Sequence, residues 1–166
     1  MNKSIRKFIG FDMDGVIIDH SASKIRIAAE FGFNIVPAQT PSEIIKAIVS
    51  EKVLEEIKFY IYRKPETALS APLIAGAADG LKKIKESGTD YFLISRRRSA
   101  DVAMELLKRH KIWPHYFNEK NAFFVSEPED KNIHAKRLGI THYVDDELKI
   151  LDALASVPHK FLFDPF

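Results

Sequence analysis

Five short apolar runs, spaced along the chain and separated mostly by helical patterns, constrain the fold more than any other feature. They are Lys7 to Phe11, Tyr91 to Ile94, Ala122 to Val125, His142 to Val144 and Lys160 to Phe163. Each is rich in aromatic and β-branched residues and too short for a helix, so each reads as a buried strand of a parallel sheet. Between them, Ala77 to Ser87 places Leu81 and Ile84 on one face and stops at Gly88, a residue suited to a left-handed helix end. Ser99 to His110 starts on Ser99 as N-cap and carries Val102, Ala103, Leu106 and Leu107 at helical spacing. Lys131 to Leu138 ends at Gly139, and Glu147 to Ala155 carries Leu148, Leu151 and Leu154. Strand–helix alternation of this kind predicts an α/β fold with a doubly wound parallel sheet.

Residues 21–70 break the alternation. No strand is expected there. Lys24 to Phe31 reads as one helix, and Pro41-Ser42-Glu43 opens a second with Ile44, Ile45, Ile48 and Val49 as its stripe. Val53 to Tyr62 reads as a third, either separate from the second or continuous with it. The segment predicts a helical insertion after the first strand, a cap on a core formed by residues 1–20 and 71–166. Its aromatic and basic residues suit a base or a sugar, or simple packing on the core.

The bulk properties exclude several classes. A length of 166 residues suits one domain with an insertion, and a formal net charge of +2 does not call for a nucleic-acid polymer as partner. No apolar stretch reaches the ~20 residues needed to span a membrane. There are no cysteines, which removes disulfides and thiolate metal sites and suits a reducing cytoplasm. Basic residues precede the first apolar run, but Asp12 and Asp14 interrupt that run and no small-residue cleavage site follows, so no secretory leader is expected. Oligomeric state is not fixed by these features.

The first apolar run leads into FDMDGV, which puts Asp12 and Asp14 at the carboxyl end of a buried strand. Open parallel sheets bind ligands at that edge. An Asp–Gly turn explains the two acids if they are taken alone. Other strand ends add to them: Tyr91 to Ile94 runs into Ser95, His142 to Val144 runs into Asp145-Asp146, and Lys131 opens the helix before that last strand. Carboxylates suit Mg²⁺, and serine with lysine suits a phosphate. The alternatives are ordinary: Asp145 and Asp146 as caps of the following helix, and Ser95 as a cap of its own.

With these residues in order, the chain resembles the haloacid dehalogenase (HAD) superfamily over its full length. GFDMDGV resembles the first motif, FLIS the second, a lysine near a helix start the third, and YVDD the fourth. The resemblance implies a Rossmann-type core with a small helical cap and a Mg²⁺-dependent phosphatase. Asp12 would be the nucleophile that forms an aspartyl-phosphate, with Mg²⁺ bridging it to the phosphate oxygens. Asp14 would be general acid and then base, with its backbone carbonyl on the metal. Dehalogenases of the superfamily lack that acid, so the chain looks like a phosphatase or phosphotransferase. Asp146 is the preferred third ligand, with Asp145 as alternative or support. Ser95 and Lys131 would bind phosphate, with Lys136 as the rival lysine.

Arg96 to Arg98 follow Ser95 near a helix start, where cations are disfavoured. They read as solvated charge, or at least one of them, Arg96 ahead of Arg97 and Arg98, faces an anionic part of the substrate. His20 reads as an ordinary residue near the pocket entrance, Asp19 as part of the turn into the cap, and Trp113, Tyr116 and Phe117 as packing under the sheet. The expected substrate is a small phosphorylated metabolite. The YVDD ending resembles the nucleotidase-like branch and tilts the reading toward nucleotides, with sugar phosphates open. A phosphomutase with the same chemistry and a non-enzymatic binding module on the same fold are the alternatives.

Overall fold

The five apolar runs form five strands: β1 (Phe8–Phe11), β2 (Asp90–Arg96), β3 (Ala122–Val125), β4 (His142–Asp145) and β5 (His159–Leu162). The structure, a computed structural model, describes residues 6–98 and 100–166. All strands are parallel, in the order β3-β2-β1-β4-β5. The chain steps outward from β1 to β2 and β3, then crosses back to β4 and β5. The order therefore reverses between β1 and β4, which is where ligand crevices form in open α/β sheets.

The core helices are α5 (Ala77–Glu86), α6 (Ala100–Arg109), α7 (Pro128–Leu138) and α8 (Leu148–Ala153). Leu81, Leu93, Ala103, Leu106, Leu107 and Phe117 form one buried cluster. Ile94, Ala135, Ile140, Tyr143, Leu151 and Leu154 form another on the opposite face of the sheet, since neighbours along a strand such as Leu93 and Ile94 fall in different clusters. Trp113 and Phe117 pack in the first cluster. The Tyr143 ring lies against Gly10, where any side chain would overlap it, and its hydroxyl donates to the Ile94 carbonyl at 2.8 Å. That bond satisfies a polar atom deep in the sheet.

The cap consists of α1 (Ser21–Glu30), a 3₁₀ turn at Pro37–Gln39, α2 (Ser42–Ile48), α3 (Glu51–Tyr62) and the short α4 (Pro65–Ala68). Its apolar residues have a core of their own, built on Ile27, Ile35, Ile45, Val53, Ile57 and Ile61. The second and third cap helices are separate. Val49 is extended, and Ser50 caps α3 by accepting from the Val53 N–H. Among the described residues no helix is long and apolar enough to cross a membrane.

Three expectations need correction. β5 is not buried: it is the outer strand of the sheet, and Phe161 and Leu162 are half exposed. Lys131 does not open its helix; Pro128 does, with Glu127 as its cap, so Lys131 lies within the first turn and a half. The α8 helix is shorter than expected and begins at Leu148. The proposed cap residue Ser99 lies outside the described residues.

Candidate active site

Asp12 follows β1 directly, and its backbone N–H still donates to Val144 of β4. The chain then turns tightly. The Met13 carbonyl accepts from both Ile17 and Ile18, and Gly15 adopts φ +82°. A glycine is required here twice over, by that backbone angle and because a methyl at this position would overlap the Asp146 carboxylate. The turn aims Asp12 and Asp14 into the crevice between β1 and β4.

Lys131 reaches the same crevice from α7. It is fully buried, and its Nζ donates to Asp12 Oδ1 and to Asp145 Oδ2, each at 2.8 Å. Burial disfavours its charge, but Asp12, Tyr143 and Asp145 outweigh that and push its pKa up, so it stays an ammonium ion. Burial pushes the Asp12 carboxyl upward, Lys131 pulls it back, and Asp145, Asp14 and Asp146 add repulsion. The rival Lys136 sits on the exposed face of the helix.

Asp145 is the last residue of β4. One of its oxygens takes Lys131, and the other accepts from the Glu147 N–H at 3.0 Å. Asp146 has no such support. Burial, then Asp145 and Glu147, push its carboxyl up to about 7. Asp12, Asp145 and Asp146 can present oxygens within 4.8 Å of one another. Lys131 pairs with Asp12 and Asp145, and Lys24 offsets only part of what raises Asp146, so negative charge is left uncompensated. A hard divalent cation fits that donor set: it would be held by Asp12 and Asp146, with Asp145 at its flank.

Ser95 lies near the end of β2. Its hydroxyl is buried and has no hydrogen-bond partner among the described residues. It does not cap a helix, because the next one, α6, begins only at Ala100. A buried hydroxyl without a partner points to a ligand atom as its partner.

Asp14 is held by two residues that the sequence placed near the pocket without assigning them this role. Arg97 donates from Nε to Oδ2 at 2.7 Å and from Nη2 to Oδ1 at 2.6 Å, a two-pronged pair. The His20 ring bonds Oδ1 at 2.7 Å. Tyr62, from the end of α3, lies over the Arg97 guanidinium at 4.5 Å and meets the His20 ring edge-on. Burial alone would raise the Asp14 pKa, but Arg97 and His20 reverse this and hold the carboxyl far below its usual range. An ionised Asp14 suits accepting a proton from water. It is not the form that protonates a leaving oxygen.

Arg97 lies just past β2, where its N–H turns back to donate to the Ser95 carbonyl at 3.1 Å, so strand alternation does not assign its side chain a face. Ser95 is buried, Arg96 exposed and Arg97 buried again. Arg96 lies at the rim of the crevice, and Arg98 is exposed with Glu127 at 3.8 Å. His20 carried a local signal, its place just past the first motif, whereas Tyr62 carried none that sets it apart from the other cap aromatics. Asp19 accepts from the Ser21 N–H at 2.8 Å and so does belong to the turn into the cap.

No family model matches the chain, and no curated protein matches it. Solved structures do. A hydrolase from Streptococcus pneumoniae TIGR4 superposes with a TM-score of 0.63 at 20% identity, covering 96% of this chain and 93% of that one. A HAD-family hydrolase from Deinococcus radiodurans, solved with bound phosphate and sodium, gives 0.63 at 16% identity over 95% and 79%. A Thermotoga maritima protein provisionally named a beta-phosphoglucomutase gives 0.56 at 17% over 94% and 84%. These superpositions, all at 20% identity or less, show the fold: the chain has the fold of the HAD-family hydrolases.

Proposed function

We propose that the protein is a HAD-type phosphoryl-transfer enzyme, a Mg²⁺-dependent phosphatase that releases phosphate from a small phosphorylated metabolite. The observation that carries this reading is the lysine-bridged pair of buried carboxylates beside Asp146 and the unpartnered Ser95 hydroxyl, all at the carboxyl edge of the sheet. Asp12 Oδ attacks phosphorus, and the bond from phosphorus to the leaving oxygen breaks. The electron pair stays on that oxygen, which takes a proton. Water then attacks phosphorus, gives up its proton, and Asp12 is regenerated.

Asp14 is the group placed to handle both protons: in its protonated form it gives the first to the leaving oxygen, and in the ionised form that Arg97 holds it takes the second from water. Lys131 keeps Asp12 oriented and supplies positive charge near the transferred group. The Ser95 hydroxyl donates to a phosphoryl oxygen. The bound Mg²⁺ would screen the repulsion between Asp12 and the phosphate dianion. A chain without cysteine suits the cytoplasm, and a small molecule is the partner that a crevice of this kind fits. Nucleotides and sugar phosphates both fit that description.

The test is phosphate release from a panel of phosphorylated metabolites and an aryl phosphate, with Mg²⁺ and then with chelator. We expect release only with the metal, and none from Asp12→Asn. Turnover that survives full chelation would contradict the metal role. Likeness to the Thermotoga maritima protein motivates a second reading, transfer to a hydroxyl of the same sugar. In that case isomerised sugar phosphate appears in place of free phosphate.

A further inference from the structure

A groove of about 720 Å³ lies between cap and core, beside the crevice that holds the carboxylates. Its walls carry eight basic side chains against four acidic ones. Three of the basic ones are Arg96, Arg97 and Arg98, and Lys24 and Arg63 face them from the cap. Among the described residues Arg96 enters no ion pair, and Arg98 has only Glu127 at 3.8 Å. Arg97 is the buried member of the run. Its Nε and Nη2 are taken by Asp14, but Nη1 is buried with no acceptor among the described residues. A guanidinium has donors on three nitrogens, and a dry, unused pair of N–H groups is costly unless something binds there.

We propose that Nη1 of Arg97 takes a second anionic group of the substrate, a carboxylate or phosphate on its leaving part. Arg97 then determines specificity and positions Asp14, because one guanidinium joins the second anion to that carboxylate. Arg96 assists at the rim. The Tyr62 ring covers the guanidinium at 4.5 Å, so it must shift as the anion enters, and it shields the contact from water. Shielding strengthens a charge-assisted hydrogen bond. The planar fork matters here: a lysine could not hold Asp14 with two nitrogens and an anion with the third. The inference rests on Asp12 as the phosphoryl acceptor only for its kinetic part.

The test uses phosphonates, whose carbon–phosphorus bond this chemistry does not break. ω-Carboxyalkyl phosphonates with three to six carbons are compared with alkylphosphonates of equal length by calorimetry in the presence of Mg²⁺. At one or more lengths the carboxylated ligand should bind about tenfold tighter or better, a contact of the size expected for a buried charged hydrogen bond. Arg97→Gln should remove the preference, Arg96→Gln should narrow it, and Lys136→Gln should leave it unchanged. With the matching phosphate esters, Arg97→Gln should lower kcat and raise KM for the carboxylated ester, whereas Arg96→Gln should change mainly KM. Equal binding of both ligand series to the wild-type protein at every length overturns the proposal, and this comparison needs no variant. A preference that survives in Arg97→Gln overturns it too. If no ester is hydrolysed yet the preference exists and depends on Arg97, the anion subsite stands and the phosphatase reading falls.

Discussion

Lys131 shows what a single side chain does in this molecule. Two buried carboxylates meet its ammonium at 2.8 Å, and the crevice has no other buried cation beside Asp12 and Asp145 among the described ion pairs. Lys131→Met keeps the volume of the stem and removes the charge. It leaves two acids buried without their partner, which typically costs about 3–5 kcal/mol. Urea denaturation in chelator should show that loss, whereas Lys136→Ala should stay within about 0.5 kcal/mol of wild type. Equal small effects would mean that the pair is not what stabilises the crevice. Asp12→Asn is a different kind of change. The amide oxygen still accepts from Lys131 and the fold should persist, but an amide is a poor nucleophile, so turnover of any phosphomonoester should be lost. Full activity in that variant would remove the aspartyl-phosphate route. At this scale the sequence was informative where acids, serine and lysine stand at strand ends, because their placement follows from the sheet. It was poor for the three consecutive arginines, where residue type alone does not say which turns inward.

The elements divide the apolar residues into clusters that do not merge. Ile27, Ile45, Val53, Ile57 and Ile61 belong to the cap, while Leu81, Leu93, Ala103 and Leu106 belong to the core. Truncating a cap residue should therefore loosen the cap alone. Ile57→Ala removes a fully buried side chain and should cost about 2–5 kcal/mol of cap stability. Hydrogen exchange should show lost protection in α1 and α3 with β1, β2 and β4 unchanged. Uniform loss throughout would mean that cap and core unfold as one unit. The split explains why both helical and strand periods were readable: each element packs on one nearby cluster, so its own pattern of apolar residues records its face. β5 was misread for the same reason. Its composition is that of a buried strand, but nothing in a run such as HKFL says whether a helix follows to cover it. The two cap helices also looked joinable, since Val49 and Ser50 carry no proline or glycine to mark the break. The break lies in the extended backbone at Val49 and the Ser50 cap, a choice between local bonds that composition does not decide.

Across the whole molecule the net charge is small, yet the carboxylates are gathered at one edge of the sheet, and that gathering makes stability depend on pH and metal together. Asp146 has a folded pKa raised to about 7, against 3.8 for the free carboxyl, with burial as the first cause and Asp145 and Glu147 next. As pH rises from about 4, the unfolded chain gives up this proton first while the folded chain keeps it. The folded state then binds more protons, so stability falls with rising pH until about 7 and stays low above it. Asp14 runs the other way. Its pKa is held below the usual range by Arg97 and His20, so its contribution is present above about pH 4 and is lost only in acid. Asp12, whose carboxyl burial raises well above its usual range, adds a loss of the same sign, so between pH 5 and 8 the two acids together set the slope. Allowing for partial exposure, the loss in chelator should be on the order of 2 kcal/mol, or roughly 4–8 °C in Tm for a chain of this size. A bound Mg²⁺ would supply positive charge there and should recover most of it, with affinity that rises with pH through about 7 as the proton is displaced. Asp146→Asn should make the slope in chelator shallower and weaken the gain from Mg²⁺. Differential scanning calorimetry of both proteins at pH 5, 6.5 and 8, with chelator and with Mg²⁺, reads every term. A wild-type Tm that does not fall between pH 5 and 8 in chelator would show that Asp146 is not the uncompensated acid of the site, and the metal would then have to be held by a different pair of carboxylates.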